Sequence, residues 1–230
     1  MVKVIYEDKN LVAVNKEAGI LVHPVVGRGE ESSLSAELLK KYPEIKNVGD
    51  NPERPGIVHR LDKDTSGVLL ITRNQKFFEY LKNLFQKHEV KKTYLALVCG
   101  KIEKKHGIIN KPISIKSGTV RRTVYKGKLS KEAITEYKVL KIIKKSGEVF
   151  SLIRVMPKTG RTHQIRIHLA SIGYPIVGDK LYGKKNNPWQ LERQFLHAES
   201  VEFSLKTGER IKIEADLPDD LKGVILNSHE

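Results

Sequence analysis

Ile134–Val155, ITEYKVLKIIKKSGEVFSLIRV, decides the architecture. Two β-rich runs, Ile134–Ile143 and Val149–Val155, flank the turn Lys144–Gly147. So short a link makes a hairpin, and a hairpin pairs its strands antiparallel. Working outward, the same logic finds more strands in adjacent runs. Val2–Tyr6 and Leu11–Asn15 alternate around the polar turn Glu7–Asn10, Gly67–Thr72 is apolar throughout, and Thr93–Val98 follows. Val201–Leu205 and Ile211–Ala215 close the chain with strand character. Helical spacing is confined to three places. Ser33–Tyr42 carries Leu34, Leu38 and Leu39 behind a Ser32 or Ser33 cap, and Asn74 caps a helix to about His88 on Phe77, Leu81 and Leu84. A third helix is expected behind Thr162, with Ile165, Leu169 and Ile172 on one face and Gly173 as its stop. Strands in runs rather than in strand–helix alternation predict an α+β fold with a largely antiparallel mixed sheet.

The chain has 230 residues and a formal charge of +15, from 42 Lys and Arg against 27 Asp and Glu. That length accommodates one domain, or two closely packed halves of one, with a substantial core. The apolar runs are strand-sized, well short of the 18 or so residues of a membrane span, so no membrane partner is expected. Cys99 is the only cysteine, which excludes an internal disulfide and any multi-cysteine metal site. These features predict a cytoplasmic, monomeric protein. The positive excess predicts a polyanionic partner, for which nucleic acid is the commonest source. It is concentrated in Lys101–Lys128, a segment with nine basic residues, including Arg121 and Arg122, and one acid, Glu103. This stretch reads either as a solvated excursion or as an arm along a phosphate backbone; the charge density favours the arm.

Tempting signatures fail on inspection. Gly178–Lys185, GDKLYGKK, has phosphate-loop spacing but places Lys185 where a metal-binding hydroxyl belongs. There is no Gly-x-Ser-x-Gly elbow, and His163 and His168 are spaced wrongly for a helical zinc pair. Two constellations survive. Gly56–Gly67, GIVHRLDKDTSG, holds Asp62 and Asp64 on a short connection, where catalytic groups are commonly mounted. Its alternatives are a plain polar turn and a metal site from His59, Asp62 and Asp64, for which no further carboxylates cluster nearby. Lys158–Leu169, KTGRTHQIRIHL, sets Arg161 and Arg166 around a helix start, where either a specific or an ordinary anion would bind.

At these residues the chain resembles the ribosomal large-subunit (RluA-type) family of pseudouridine synthases. His59–Gly67, HRLDKDTSG, looks like the family signature. Four further segments follow the family's order: Lys16–Gly19 with Val22–Pro24, Lys92–Val98 (KTYLALV), Ala133–Leu140 (AITEYKVL) and Gly160–Leu169 (GRTHQIRIHL). Together they cover roughly residues 3 to 217. The resemblance implies one catalytic domain over residues 1–230, with a basic excursion at about 101–128. Many members carry a small S4-type RNA-binding domain ahead of the catalytic one; the expectation here is that none is present.

The implied reaction isomerises specific uridines to pseudouridine in ribosomal or transfer RNA, without metal or cofactor. By the same resemblance, Asp62 is the essential carboxylate, Tyr94 the active-site aromatic and Arg166 the cation that keeps Asp62 ionised. Whether Asp62 attacks the sugar, adds to the base or removes a proton stays open. Arg60 matches the residue that fills the gap left by the flipped base, and flipping is a physical requirement for a stacked target. His59 and Arg161 join it as substrate-binding residues, with Arg121 and Arg122 from the excursion. Without the resemblance, Tyr94 reads equally well as a core strand residue and Arg166 as a surface charge. The competing classes are a catalytically idle RNA-binding protein and a metal-dependent nuclease using His59, Asp62 and Asp64.

Overall fold

Asp8 closes the first turn: its Oδ1 accepts from the amides of Asn10 and Leu11, both at 2.7 Å, and turns strand β1 (Lys3–Glu7) into β2 (Leu11–Lys16). This computed structural model describes residues 2–23, 33–116, 121–125, 127–183 and 187–226. The chain divides into two compact units, Met1–Lys91 with Ala198–Asp216, and Lys92–His197 with Leu217–Glu230.

In the first unit, β2 pairs antiparallel with β1 and with β3 (Ser66–Thr72), every residue of which is buried. Beside β3 runs β11 (Leu196–Ser204), whose residues from Ala198 onward belong here, and β12 (Arg210–Glu214) pairs antiparallel with it. Helix α1 (Leu34–Lys41) starts at the Ser33 cap, and α2 (Gln75–Gln86) at Asn74, whose side chain accepts from the Phe77 amide at 2.9 Å. Phe77, Leu81 and Leu84 of α2 bury their faces with Leu70, Phe203 and Ile213. That is the amphipathic pattern the sequence carries at i, i+4 and i+7.

In the second unit the hairpin is present as expected. Strand β9 (Ile134–Lys145) pairs antiparallel with β10 (Glu148–Pro157), and both residues of the loop, Ser146 and Gly147, have positive φ, 53° and 76°. Such a loop matches the twist of the strands that it joins. The sheet continues from β10 to β4 (Lys91–Cys99) on one side and from β9 to β5 (His106–Asn110) on the other, antiparallel in both cases. The core gathers Leu97, Phe150, Ile153, Leu169, Phe195 and Leu221. Antiparallel pairs joined to a few helices make this an α+β fold.

Three details differ from the sequence reading. The segment 101–128 is not one excursion: Ile102 and Ile109 are buried in the core and β5 is a sheet strand. Only from Ile113 does the chain leave to form a small separate sheet in the order β7 (Arg122–Thr123), β6 (Ile113–Ile115), β8 (Lys128–Lys131). Thr162 does not cap the third helix. Helix α3 (Gln164–Ser171) begins behind His163, in a left-handed conformation at φ 56° and without a side-chain cap of its own. A fourth helix, α4 (Asp219–Leu226), ends the described chain and buries Leu221 and Val224. No helix among the described residues is long and apolar enough to cross a membrane.

Candidate active site

Asp62 sits half-buried on the connection that leads into β3, and the surrounding residues fix that connection at several points. The Thr65 amide donates to the Asp62 carbonyl at 3.1 Å, closing a turn around Lys63 and Asp64. Lys16 anchors it from below. Only 1% exposed, its ammonium donates to the carbonyls of Glu17, Ile20 and Lys63 at 2.7, 2.8 and 2.8 Å. Those bonds use the three donors of the ammonium, which is what a buried lysine needs in place of water. The Gly19 amide adds a bond to the Lys63 carbonyl at 3.0 Å. Downstream, Gly67 has φ +117°, and a Cβ there would lie 2.2 Å from the Ala198 carbonyl oxygen. Only glycine lets β3 start this close to β11.

Around Asp62 the first unit is basic. Arg60 is exposed; partial desolvation and then the neighbouring Arg54 lower its pKa, and Asp62 acts in the opposite direction. His23 is 8% exposed, and burial followed by the charges of Arg54 and Arg60 lowers its pKa too, which favours the neutral ring. His59, expected to bind substrate, is engaged with the protein. Its Nε2 accepts from the Leu70 amide at 2.9 Å and its ring stacks on Phe85 with centroids 5.0 Å apart. That bond occupies one of the two ring nitrogens, and no group of three or more metal-ligating side chains occurs among the described residues.

Tyr94 and Arg166 belong to the second unit. Tyr94 lies on β4 opposite Val155 of β10, half-buried between the buried Thr93 and Leu95, with its body against the core. Arg166 is not the surface charge that its sequence context also allowed: it is 5% exposed. Its Nε and Nη2 donate to Oδ2 and Oδ1 of Asp179 at 2.7 and 2.8 Å, a bidentate pair. Asp179 Oδ1 also accepts from the amides of Leu181 and Tyr182, at 2.8 and 3.0 Å. Burial pushes the Asp179 carboxyl up, but Arg166 and those two amides outweigh it and hold the group below the usual carboxylate range. The Tyr182 ring lies 5.3 Å from the Arg166 guanidinium carbon, a cation–π distance, and its hydroxyl meets His163 Nδ1 at 3.1 Å.

Helix α3 is oriented by a buried polar network. The Thr159 hydroxyl donates to Gln164 Oε1 at 2.7 Å, and the Arg161 amide donates to the same oxygen at 3.0 Å. Gln164 Nε2 donates to Thr135 Oγ1 and to the Ile134 carbonyl, each at 3.0 Å. The Thr135 hydroxyl therefore points at His168 Nδ1, 2.9 Å away, and His168 Nε2 donates to the Lys111 carbonyl at 2.9 Å. Gln164 thus ties the loop ahead of the helix to β9, and the helix itself has no side-chain cap. Arg161 itself is half-exposed, with Nε donating to the Glu132 carbonyl at 3.0 Å. Lys92, two residues before Tyr94, donates to the Thr159 carbonyl at 3.3 Å; burial and then the charge of Arg161 pull its ammonium down to about 8. Arg121, just ahead of the small sheet, is exposed, and Arg122, on its strand β7, is half-exposed.

Of the expected residues, the structure assembles His59, Arg60 and Asp62 on one connection, and holds Arg161 and Arg166 on the entry and body of one helix. Sequence reading missed Asp179 and Tyr182, which lie in the stretch GDKLYG that had been weighed only as a phosphate loop. It also gave no role to Lys16, Lys92 or Gln164. A buried arginine must find a carboxylate, and an aspartate between glycine-bearing turns was the available signal.

The comparisons with known proteins identify the family. A family model described as RNA pseudouridylate synthase matches residues 10–171. An uncharacterised RNA pseudouridine synthase of Aquifex aeolicus is 39% identical over 97% of this chain and 72% of its own. The ribosomal large subunit pseudouridine synthase D of Nitrosomonas europaea is 37% identical over 97% of this chain and 64% of its own. The chain thus spans roughly two thirds of these relatives' length. Among solved structures, the human RNA pseudouridylate synthase domain containing 1 superposes with a TM-score of 0.76 at 26% identity, covering 95% of this chain and 84% of its own. A family model over most of the chain, together with relatives at 37–39% identity, makes this protein a member of the RNA pseudouridylate synthase family, of RluA type, and an isomerase.

Proposed function

We propose that the chain converts specific uridines of structured ribosomal or transfer RNA to pseudouridine, with Asp62 as the essential carboxylate. The observation that carries this reading is the fixing of the Asp62 connection by Lys16 on one side and by the Gly67 approach on the other. A group that must meet one sugar carbon or one base atom needs such preorganisation. The uracil leaves its N1 glycosidic bond, turns and is re-attached through C5; no atom is lost and no oxidant or donor enters. Asp62 acts as the anion in every version of that route. Tyr94 offers a flat face on which a freed ring can stack, and Arg166, locked by Asp179, supplies a fixed positive charge to the same chemistry. Arg60, exposed and planar, suits the space that a flipped uridine vacates, which lysine would fill poorly.

The Nitrosomonas relative is named for the ribosomal large subunit, so ribosomal RNA is the first RNA to test. Pseudouridine mapping of total RNA, with and without the protein, identifies the target. Asp62→Asn keeps the volume and removes the charge; pseudouridine formation should fall below detection while RNA affinity is kept. Retention of a tenth of the rate, a barrier change of only about 1.4 kcal/mol, would remove Asp62 from the chemical step.

A further inference from the structure

Lys92 and Arg161 form a pair of like charges in the second unit. Lys92 leaves β4 on the same face as Tyr94, since residues two apart in a strand share a face. Its ammonium donates to the Thr159 carbonyl at 3.3 Å, and Arg161 stands two residues further along the same loop. Arg161 uses Nε on the Glu132 carbonyl. Among the described residues neither cation forms an ion pair with a carboxylate, although the chain pairs Lys158 with Glu136 and Arg166 with Asp179 close by in sequence. Holding a half-buried ammonium beside a guanidinium disfavours its charged form, and the Lys92 pKa is lowered by desolvation and then by Arg161. Above Gly160, between Thr159 and Arg161, there is open space: a Cβ there would meet nothing within 4 Å.

We propose that Lys92 and Arg161 together bind one phosphate of the RNA backbone, beside the Tyr94 ring. A phosphodiester has a single negative charge and two non-bridging oxygens, one for each cation. Anchoring the backbone at this point gives the nucleotide a fixed pivot while its base leaves the stack. The charge repulsion that the free protein tolerates becomes attraction when the phosphate arrives. This subsite rests on the RNA reading above.

The test uses the whole protein and a labelled oligouridylate, titrated over a salt series. Lys92→Met should weaken binding about tenfold, the scale of a charge-assisted hydrogen bond. It should also reduce the salt slope by about 0.7, the value for one single-strand phosphate. Lys92→Arg should restore the slope. The losses in Lys92→Met and Arg161→Met should be less than additive in the double variant, because the two side chains share one ligand. Lys92→Met should also raise the melting temperature of the free protein by roughly 2 °C or more, as an uncompensated buried charge disappears. A lower melting temperature with unchanged RNA affinity would assign Lys92 to holding the Thr159 carbonyl and overturn the subsite. So would an unchanged slope, or fully additive losses. If the unaltered protein shows no salt-dependent binding at all, the RNA reading falls as well, which separates the two failures.

Discussion

Asp62 and Arg166 are held in place by opposite means. The Asp62 connection is fixed through backbone: one buried ammonium on three carbonyls, a turn closed by the Thr65 amide, and a glycine pressed on the Ala198 carbonyl. Arg166 is fixed through side chains, by a bidentate carboxylate, by the amides that orient that carboxylate, and by an aromatic ring. The first arrangement answers to sterics and to backbone hydrogen bonds. The second answers to charge and therefore to pH. The two mountings fail differently.

The largest expected effect comes from the steric side. Gly67→Ala places a Cβ 2.2 Å from backbone at a φ of +117°, so both clash and strain apply, for about 3 kcal/mol or more in urea denaturation. Gly147→Ala, at φ +76° with nothing within 4 Å, isolates the strain and should cost only about 1 kcal/mol. Equal losses at the two positions would show that the close approach to Ala198 is unimportant.

On the charge side, Asp179→Asn leaves a buried guanidinium without its anion, for about 3 kcal/mol, and should abolish turnover along with it. The pH dependence sharpens the contrast. The folded Asp179 binds its proton less readily than the unfolded chain does, so its stabilisation is complete above the ordinary carboxylate pKa of about 4. It is lost as pH falls through the lower folded value. Urea midpoints below pH 4 should therefore drop more steeply for the unaltered protein than for Asp179→Asn. Parallel curves would mean that Arg166 is held by its other neighbours.

Lys16→Met removes the ammonium from three buried carbonyls and costs about 2 kcal/mol, less than three full bonds because a buried charge goes too. Its larger consequence should be a tenfold or greater fall in kcat with KM little changed, as Asp62 loses its fixed position. A change in KM alone would detach Lys16 from that role. Smallest is the exposed sheet: replacing Arg121 and Arg122 with Ser should leave stability within about 0.5 kcal/mol and reduce the salt slope of RNA binding by roughly 0.7 to 0.9 per lost phosphate contact. An unchanged slope would leave this sheet as a solvated appendage.

The elements that could be read directly were those whose signal is local. The Ser146-Gly147 loop, the Asn74 cap and the i, i+4 stripe of Phe77 and Leu81 each rest on residues within one turn or one hairpin. The Asp62 motif was legible for the same reason, as a contiguous stretch. Other features depend on residues far apart in the chain. Arg166 meets Asp179 thirteen positions later, Lys16 meets the Lys63 carbonyl forty-seven positions later, and Gly67 meets Ala198. The start of α3 shows the boundary between the two. Thr162 has the local credentials of a cap, yet the helix starts behind a left-handed His163 without a side-chain cap, while Thr159, Ile134 and Thr135 converge on the Gln164 amide. Likewise β5 reads as part of a basic excursion until β9 supplies its hydrogen bonds and Ile109 its burial. Sequence determines propensity, charge and the identity of the chemical groups. Which buried polar group satisfies which partner is settled only when the folded chain removes water and leaves a single donor within reach.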